Sequence, residues 1–286
     1  MSMWLMHESE DGMVEQAEKA QVFQDLHRGP LFVMPNPWDA GSARLLAGMG
    51  AKALATTSAG YAWTLGRRDM DVTRDEALAN AAQIVAAVDL PVSGDLENGY
   101  GDAPEIAAET IRYAAEAGLV GGSIEDATGD PERPIYDFGH AVERVAAAAE
   151  AAHALPFPFT FTARAENYLH GRRDLDDTIR RLQAFEAAGA DVLFAPGLPD
   201  LDAIRTVVAA VGKPVNVVLW QKQTPYTIAD LAAVGVRRVS SGGSFARAAL
   251  TGLANAAAEV LGAGTLGYLD TALTTAEIHK HMSDEG

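Results

Sequence analysis

From residue 30 to about residue 261, short apolar runs alternate with longer, alanine-rich ones. The short runs fall at 31–34, 53–57, 92–96, 121–125, 159–163, 192–195, 215–219 and 238–241. Several are apolar without a break, the pattern of parallel strands covered on both faces. The longer runs carry helical spacing and start signals. Thr73-Arg74-Asp75-Glu76 and Asp102-Ala103-Pro104-Glu105 both read as capping boxes, the second in an Asp form. Gly50, Gly118, Gly189 and Gly235 each stand shortly before a strand, where a helix can end on a left-handed residue. One strand and one helix recur about every 29 residues, eight times in all. That repetition predicts a single (β/α)8 TIM-type barrel. An open doubly wound sheet would need a glycine-rich phosphate loop after the first strand, and Met34-Pro35-Asn36-Pro37-Trp38 is not one. Residues 1–29 are expected to add an N-terminal helix to the barrel core at 30–261, and residues 262–286 a C-terminal helical arm. His279, Lys280 and His281 fall near the end of that arm, and 1–286 reads as one domain.

Composition narrows the partners. A chain of 286 residues, 48% of them apolar, is the usual size for one barrel and can build a large core. The 39 acidic residues outnumber the 22 basic ones, for a formal charge of −17. A field of that sign repels phosphate backbones, so no nucleic-acid partner is expected. A small anionic substrate remains open, because a bound cation and local arginines can reverse the sign inside one pocket. The absence of cysteine removes disulfides, thiolate metal sites and thiol nucleophiles together. The Glu-rich segment 1–19 has no basic region before an apolar run, and 250–269 is interrupted by Asn255, Glu259 and glycines. Neither reads as a signal peptide or a membrane span. The expectation is a cytoplasmic protein with no membrane partner.

A barrel places its chemistry at the C-terminal ends of its strands. That rule selects Thr57-Ser58 after the second strand, Asp95-Leu96-Glu97 at the third, Glu125-Asp126 at the fourth, Arg164-Ala165-Glu166 at the fifth and Asn216 on the seventh. Asp95 and Glu97 lie two apart at a strand end, so both can point the same way, and Glu125 comes from the neighbouring strand. Three converging carboxylates repel unless a cation lies between them, and a hard ion such as Mg²⁺ suits an all-oxygen set. The competing reading is solvated loop acids and helix caps. Arg164 suits a substrate carboxylate, or equally a structural ion pair with Glu125 or Glu166. Thr57-Ser58 could offer hydroxyls and N–H groups to a carboxylate, or serve as a turn and helix cap. No histidine falls on a strand end. His170 follows the fifth strand and reads as surface loop.

At these residues the chain resembles the isocitrate lyase/phosphoenolpyruvate mutase superfamily. The resemblance rests on Pro35-Asn36-Pro37-Trp38-Asp39-Ala40 with Ser42-Ala43-Arg44, on Ala59-Gly60-Tyr61-Ala62 with Leu65-Gly66 and Asp69, and on Asp95-Leu96-Glu97-Asn98-Gly99-Tyr100-Gly101. Ile124-Glu125-Asp126 and Thr162-Ala163-Arg164-Ala165-Glu166 complete it, over roughly 30–261. It implies that Asp95 ligates Mg²⁺ (Mn²⁺ being a possible substitute), with Glu97 and Glu125 acting through bound waters and Asp69 behind them. It further implies that Arg164 and the Thr57-Ser58 backbone hold a 2-oxo or 2-hydroxy carboxylate, with Asn216 and Tyr61 in the substrate-binding set. A bond beside that group would then be made or broken through an enolate. A homo-oligomer, dimer or tetramer, with the last barrel helix swapped between protomers, is implied as well.

Three departures from the family pattern shape the expectation. There is no cysteine for the Cys-dependent acid–base step of the isocitrate and methylisocitrate lyases. The segment 127–136, where the mutase and phosphonopyruvate hydrolase carry a gating loop with Lys and Asn, is short and proline-braced and has neither. Glu97 stands where Asp is usual, and Thr57-Ser58 where Ser-Gly is usual. The expected activity is therefore a Mg²⁺-dependent lyase or decarboxylase acting on a small 2-oxo or 2-hydroxy dicarboxylate. The alternatives are mutase- or hydrolase-type C–P chemistry, with Arg133 replacing the lid lysine, and a carboxylate-binding barrel without catalysis. Trp63, Tyr100, Phe194 and Trp220 are the candidates for shaping the pocket, and Tyr61, Tyr136 or a metal-bound water for the general acid.

Overall fold

The strands β1 (Phe32–Met34), β2 (Leu54–Ala55), β3 (Val92–Asp95), β4 (Gly121–Glu125), β5 (Thr160–Arg164), β6 (Val192–Phe194), β7 (Val215–Val218) and β8 (Arg238–Ser240) are parallel. They form one sheet in the order β1-β8-β7-β6-β5-β4-β3-β2 in the computed structural model, which describes residues 3–219 and 226–282. The seam between β1 and β2 is closed by the Ala55 N–H donating to the Pro35 carbonyl at 3.1 Å. Asn36 reinforces it. Its amide nitrogen donates to the Thr56 carbonyl at 2.7 Å, and its amide oxygen accepts from the Ser241 and Gly242 N–H groups at 2.9 Å. The expected (β/α)8 barrel is thus the observed fold, with most strands one to three residues shorter than the apolar runs suggest and β4 and β5 as long as theirs. Thr57 is the clearest case: it caps the following helix instead of ending β2.

The helices between the strands are α2 (Ala40–Gly48), α3 (Ser58–Thr64), α4 (Arg74–Ala87), α5 (Pro104–Glu116), α6 (Phe138–His153), α7 (Leu175–Ala187), α8 (Leu201–Ala210), α9 (Ile228–Ala233) and α10 (Ser244–Ala258), with α1 (Met3–Leu26) ahead of the barrel. The capping box at Thr73 and Glu76 forms as expected. The one expected at Asp102 does not: the cap of α5 is Ala103, and the Asp102 carboxylate instead accepts from the Tyr136 hydroxyl at 2.5 Å. Gly50, Gly118, Gly189 and Gly235 all have positive φ, between 89° and 108°. The C-terminal arm is not one helix. It is a π-turn (Glu259–Ala263), a 3₁₀ turn (Gly267–Asp270) and α11 (Thr275–His279). Glu259 holds this turn by accepting from the N–H groups of Gly267 and Tyr268 and from the Thr265 hydroxyl. Among the described residues, no helix is long and apolar enough to cross a membrane.

The apolar core fills the space between sheet and helices, with Leu54, Ile84, Ile111, Leu119, Phe161, Leu182 and Phe185 fully enclosed. Inside the barrel the lining is different. TIM-barrel interiors are usually packed with bulky branched side chains. Here the positions two residues before Asp95, Glu125 and Arg164 are Ser93, Ser123 and Thr162. Below them Arg238 is buried, donating to Asn216 Oδ1 at 2.9 Å and to Thr162 Oγ1 at 2.9 Å.

His27, just past α1, meets the same guanidinium through Nε2 at 3.2 Å, with Nδ1 2.8 Å from the Phe23 carbonyl. Arginine can only donate, so Nε2 accepts and the ring is the neutral Nδ1–H tautomer. Burial, then Arg238, pushes the His27 pKa down from 6.5 to about 3. The unfolded chain takes up a proton near pH 6.5 and the native ring does not until about pH 3. This contribution to stability is complete above pH 6.5 and declines across that window as pH falls, by about 1.4 kcal/mol per pH unit. Unfolding free energies of the wild type and of His27→Gln, from urea titrations at pH 7 and pH 5, should diverge by about 2 kcal/mol, the wild type losing more. Parallel pH profiles would show that the ring is not held neutral.

Candidate active site

The C-terminal ends of the strands surround a cavity of about 590 Å³. Its wall includes Ser58, Asp69, Asp95, Glu125, Arg164 and Asn216, so residues from β2, β3, β4, β5 and β7 meet as the strand-end rule anticipates. Arg164 is at their centre. Its Nη1 lies 3.0 Å from Asp95 Oδ1, its Nη2 2.9 Å from Glu125 Oε2, and its Nε donates to Glu166 Oε1 at 2.9 Å. The face of the guanidinium rests 5.1 Å from the Phe194 ring centroid. Burial works against the Arg164 charge, but Glu125, Glu166 and Asp95 more than offset it and raise the pKa further. The ion-pair reading of Arg164 is therefore realised with both Glu125 and Glu166, and with Asp95 in addition.

Asp95 is held from its other side by Ser58. The Ser58 N–H and hydroxyl donate to Asp95 Oδ2 at 3.0 and 2.9 Å. The side chain that replaces the family's usual glycine thus orients the acid. The Thr57 hydroxyl accepts from the Gly60 N–H at 3.2 Å as a helix cap, so the cap reading of Thr57 is realised. Asn216 lines the cavity with its amide fixed, donating to Ser240 Oγ at 3.0 Å. Tyr61 does not line the cavity, nor do Trp63 and Tyr100; Phe194 does, and Trp220 lies outside the described residues. Tyr136 is buried against Asp102, away from the cavity. His170, on the exposed loop after β5, reaches the cavity rim.

Glu97 occupies an unusual position. It is buried, has φ of +47°, does not line the cavity, and its Oε1 has no hydrogen-bond partner. Burial, then Asp95 and Asp69, pushes its pKa up to about 8, against the pull of Arg164. Burial likewise raises Glu125, against the pull of Arg164 and with Glu166, Asp95 and Glu97 adding to the rise. Asp69 is raised by burial and by Asp95. Among the described residues, no group of Asp, Glu or His side chains is drawn together around a point that could hold an ion. The Arg164 fork takes up the space between Asp95 and Glu125. The donor set nevertheless suits a hard divalent cation: all its ligating atoms are oxygen, Arg164 alone balances several carboxylates, and one buried carboxylate oxygen is unpaired.

The loop after β3 is strained and clamped. Glu97 and Tyr100 (φ +62°) both adopt left-handed backbone, with Gly99 between them at +78°. For non-glycine residues this costs roughly 1–3 kcal/mol each, so surrounding contacts must impose it. Arg144 of α6 supplies them: its guanidinium donates to the carbonyls of Asn98, Gly101 and Asp102, and it stacks 4.4 Å from the Tyr136 ring centroid. Under β4, Asp126 accepts from the Glu166 N–H at 2.8 Å and from Arg181 at 3.0 Å. Burial pushes the Asp126 pKa up to about 6 despite those two partners. Neither Arg144 nor Arg181 was reached from the strand ends. The signal lay in the helices, where each arginine interrupts an apolar stripe: Ala141, Arg144, Val145, Ala148 and Thr178, Arg181, Leu182, Phe185.

The family model for phosphoenolpyruvate phosphomutase matches residues 23–261. The chain belongs to this family. It is an enzyme of the phosphoenolpyruvate mutase/isocitrate lyase superfamily, as the strand-end motifs indicate. A crystal structure of a putative lyase/mutase from Burkholderia cenocepacia is similar over 95% of this chain and 98% of its own, with 57% identity and a TM-score of 0.92. An uncharacterised protein of Mycobacterium tuberculosis is 34% identical over 83% of this chain and 88% of its own. An oxaloacetate decarboxylase of Paraburkholderia xenovorans is 30% identical over 78% of this chain and 75% of its own.

Proposed function

We propose that this enzyme is a Mg²⁺-dependent lyase or decarboxylase that cleaves a C–C bond in a small 2-oxo or 2-hydroxy dicarboxylic acid through an enolate. The observation that carries this reading is the Arg164 fork, set between Asp95 and Glu125 in a cavity sized for a small acid. Asp95 and Glu125 would hold the cation, with Asp69 and Glu97 supplying further negative charge around them; Mn²⁺ would serve in place of Mg²⁺. Bound there, the cation supplies positive charge against the oxo and carboxylate oxygens, where the charge of an enolate develops. Ser58 keeps Asp95 aimed at that position through two hydrogen bonds. Arg164, relieved of part of its load of carboxylates, offers a planar donor pair to the substrate carboxylate. The similarity to an oxaloacetate decarboxylase agrees with this chemistry.

The C–P alternative is less well supported. It would need a cation over the cavity from the 127–136 segment. Arg133 does not line the cavity; it is 81% exposed and lies 3.6 Å from Asp130. Purified protein with Mg²⁺ should release a keto acid from oxaloacetate or a related 2-oxo or 2-hydroxy dicarboxylate, and Asp95→Ala should not. No turnover on that panel, or full activity in the variant, would reject the proposal. Turnover of phosphonopyruvate seen by phosphorus NMR would favour the C–P alternative, and tight Mg²⁺-dependent binding without turnover a non-catalytic barrel.

The same reading includes a homo-oligomer, a dimer or tetramer. The last barrel helix, α10, buries only Ala246, and Leu250, Leu253, Leu261, Leu266 and Leu273 are 45–87% exposed. Large exposed apolar side chains, where they adjoin, mark an interface, and a helix exchanged between protomers would cover these. Light scattering should give a multiple of the 30.1 kDa chain mass, reduced to one chain in a Leu253→Glu, Leu261→Glu double variant. A monomeric wild type would count against the oligomer.

A further inference from the structure

Beneath the acidic mouth lies a second polar layer that the proposed chemistry does not use. Ser93, Ser123 and Thr162 precede Asp95, Glu125 and Arg164 by two residues, so each points into the barrel about 6.6 Å lower along its strand. Ser93 and Ser123 both line the cavity, and among the described residues neither hydroxyl has a hydrogen-bond partner. Arg238 closes this layer from the opposite side of the barrel. Its side chain crosses the interior to Thr162 on β5, and Thr162 is the register partner of Ser123 on β4.

Arg238 is buried, at 2% exposure, yet it forms part of the cavity wall. Among the described residues no carboxylate pairs with it: its acceptors are Asn216 Oδ1, Thr162 Oγ1 and the neutral His27. A guanidinium carries five N–H donors, so two remain after these three acceptors. A buried cation without a counter-charge is costly to maintain, and burial alone pulls the Arg238 pKa down to about 9. The guanidinium therefore stays charged at neutral pH, with spare donors, at the floor of a cavity whose mouth is acidic.

We infer that Arg238, Ser93 and Ser123 form a subsite for a second carboxylate, pointed down the barrel axis from the substrate's reacting end. This deepens the proposed function and rests on it: the 2-oxo or 2-hydroxy carboxylate end is held at the mouth, and the distal acid fills the floor. The preferred substrates are then dicarboxylates. A monocarboxylate of the same length leaves Arg238 unpaired.

Dissociation constants, measured calorimetrically with Mg²⁺ present, test the subsite. The 2-oxo dicarboxylates of four, five and six carbons are compared with 2-oxo monocarboxylates of matched length, and oxalate serves as a ligand too short to reach the floor. The favoured dicarboxylate should bind at least about tenfold more tightly than its monocarboxylate partner, as expected for a charge-assisted pair. Arg238→Gln should reduce that ratio to about twofold or less. Ser123→Val, which fills the subsite without touching the arginine, should do the same even if the arginine variant fails to fold. A wild-type ratio near one, or a ratio unchanged in Ser123→Val, overturns the inference while oxalate binding still upholds the mouth. Loss of oxalate binding in the wild type would instead remove the reading on which it rests.

Discussion

Arg164→Met should destabilise the fold by about 3–5 kcal/mol and abolish turnover, the cost of leaving buried partners of an ion pair uncompensated. Asp95, Glu125 and Glu166 all lean on this guanidinium, and its side chain is only 14% exposed. Without it their carboxyls lose their common counter-charge, and water has little access to compensate. Lysine is not expected to rescue the site. An ammonium is a point charge and cannot reproduce a fork that reaches three acids at the ends of three strands. Urea unfolding at neutral pH measures the effect. An unchanged midpoint in Arg164→Met would mean that these acids are already protonated and need no partner.

Asp95→Asn should have the largest effect on cation binding with a smaller one on stability. Asp95 uses one oxygen for Arg164 and the other for Ser58. Asparagine preserves the shape but offers one acceptor and no charge, and its NH₂ must then face a donor on one side. Apparent Mg²⁺ affinity should fall by at least about 100-fold, the upper end for groups one step removed from an ion, and turnover should reach background. A variant that turns over normally at the wild-type Mg²⁺ concentration would show that Asp95 only positions Arg164.

The barrel was legible because its strands are apolar and its helices are punctuated. Eight short runs and glycines at helix ends carry a period that survives errors of a residue or two. The strand-end rule then delivered Asp95, Glu125 and Arg164 to one cavity, since alternation along a strand fixes which side chains point inward. Reading was less reliable in the turns and helix starts beyond the strands. Thr57 and Asp102 both have side chains suited to more than one local hydrogen bond. Thr57 became a helix cap, and Asp102 was claimed by Tyr136, a partner 34 residues away. No local pattern encodes that distance.

Glu97 shows the other limit. Its spacing from Asp95 predicted a shared direction, but the strand ends at Asp95 and Glu97 turns into left-handed backbone. Period-2 reasoning ceases to apply where the extended chain stops. Arg144, Arg181 and Arg238 were visible as anomalies, charged residues on apolar stripes or at the start of a buried strand. Their partners were not visible, because the carbonyls that Arg144 meets, the Asp126 that Arg181 meets and the Asn216, Thr162 and His27 that Arg238 meets all lie far off in the sequence. The 127–136 segment carries neither Lys nor Asn, and Arg133, the residue that would replace a lid lysine, is exposed beside Asp130.

The most direct test of the acidic mouth as a cation-dependent carboxylate site is calorimetric titration of oxalate into the protein, with Mg²⁺ and again with chelator. Binding should require Mg²⁺ and be absent in Asp95→Asn. Equal binding with chelator, or binding retained in Asp95→Asn, would contradict the assignment of this mouth to a divalent cation.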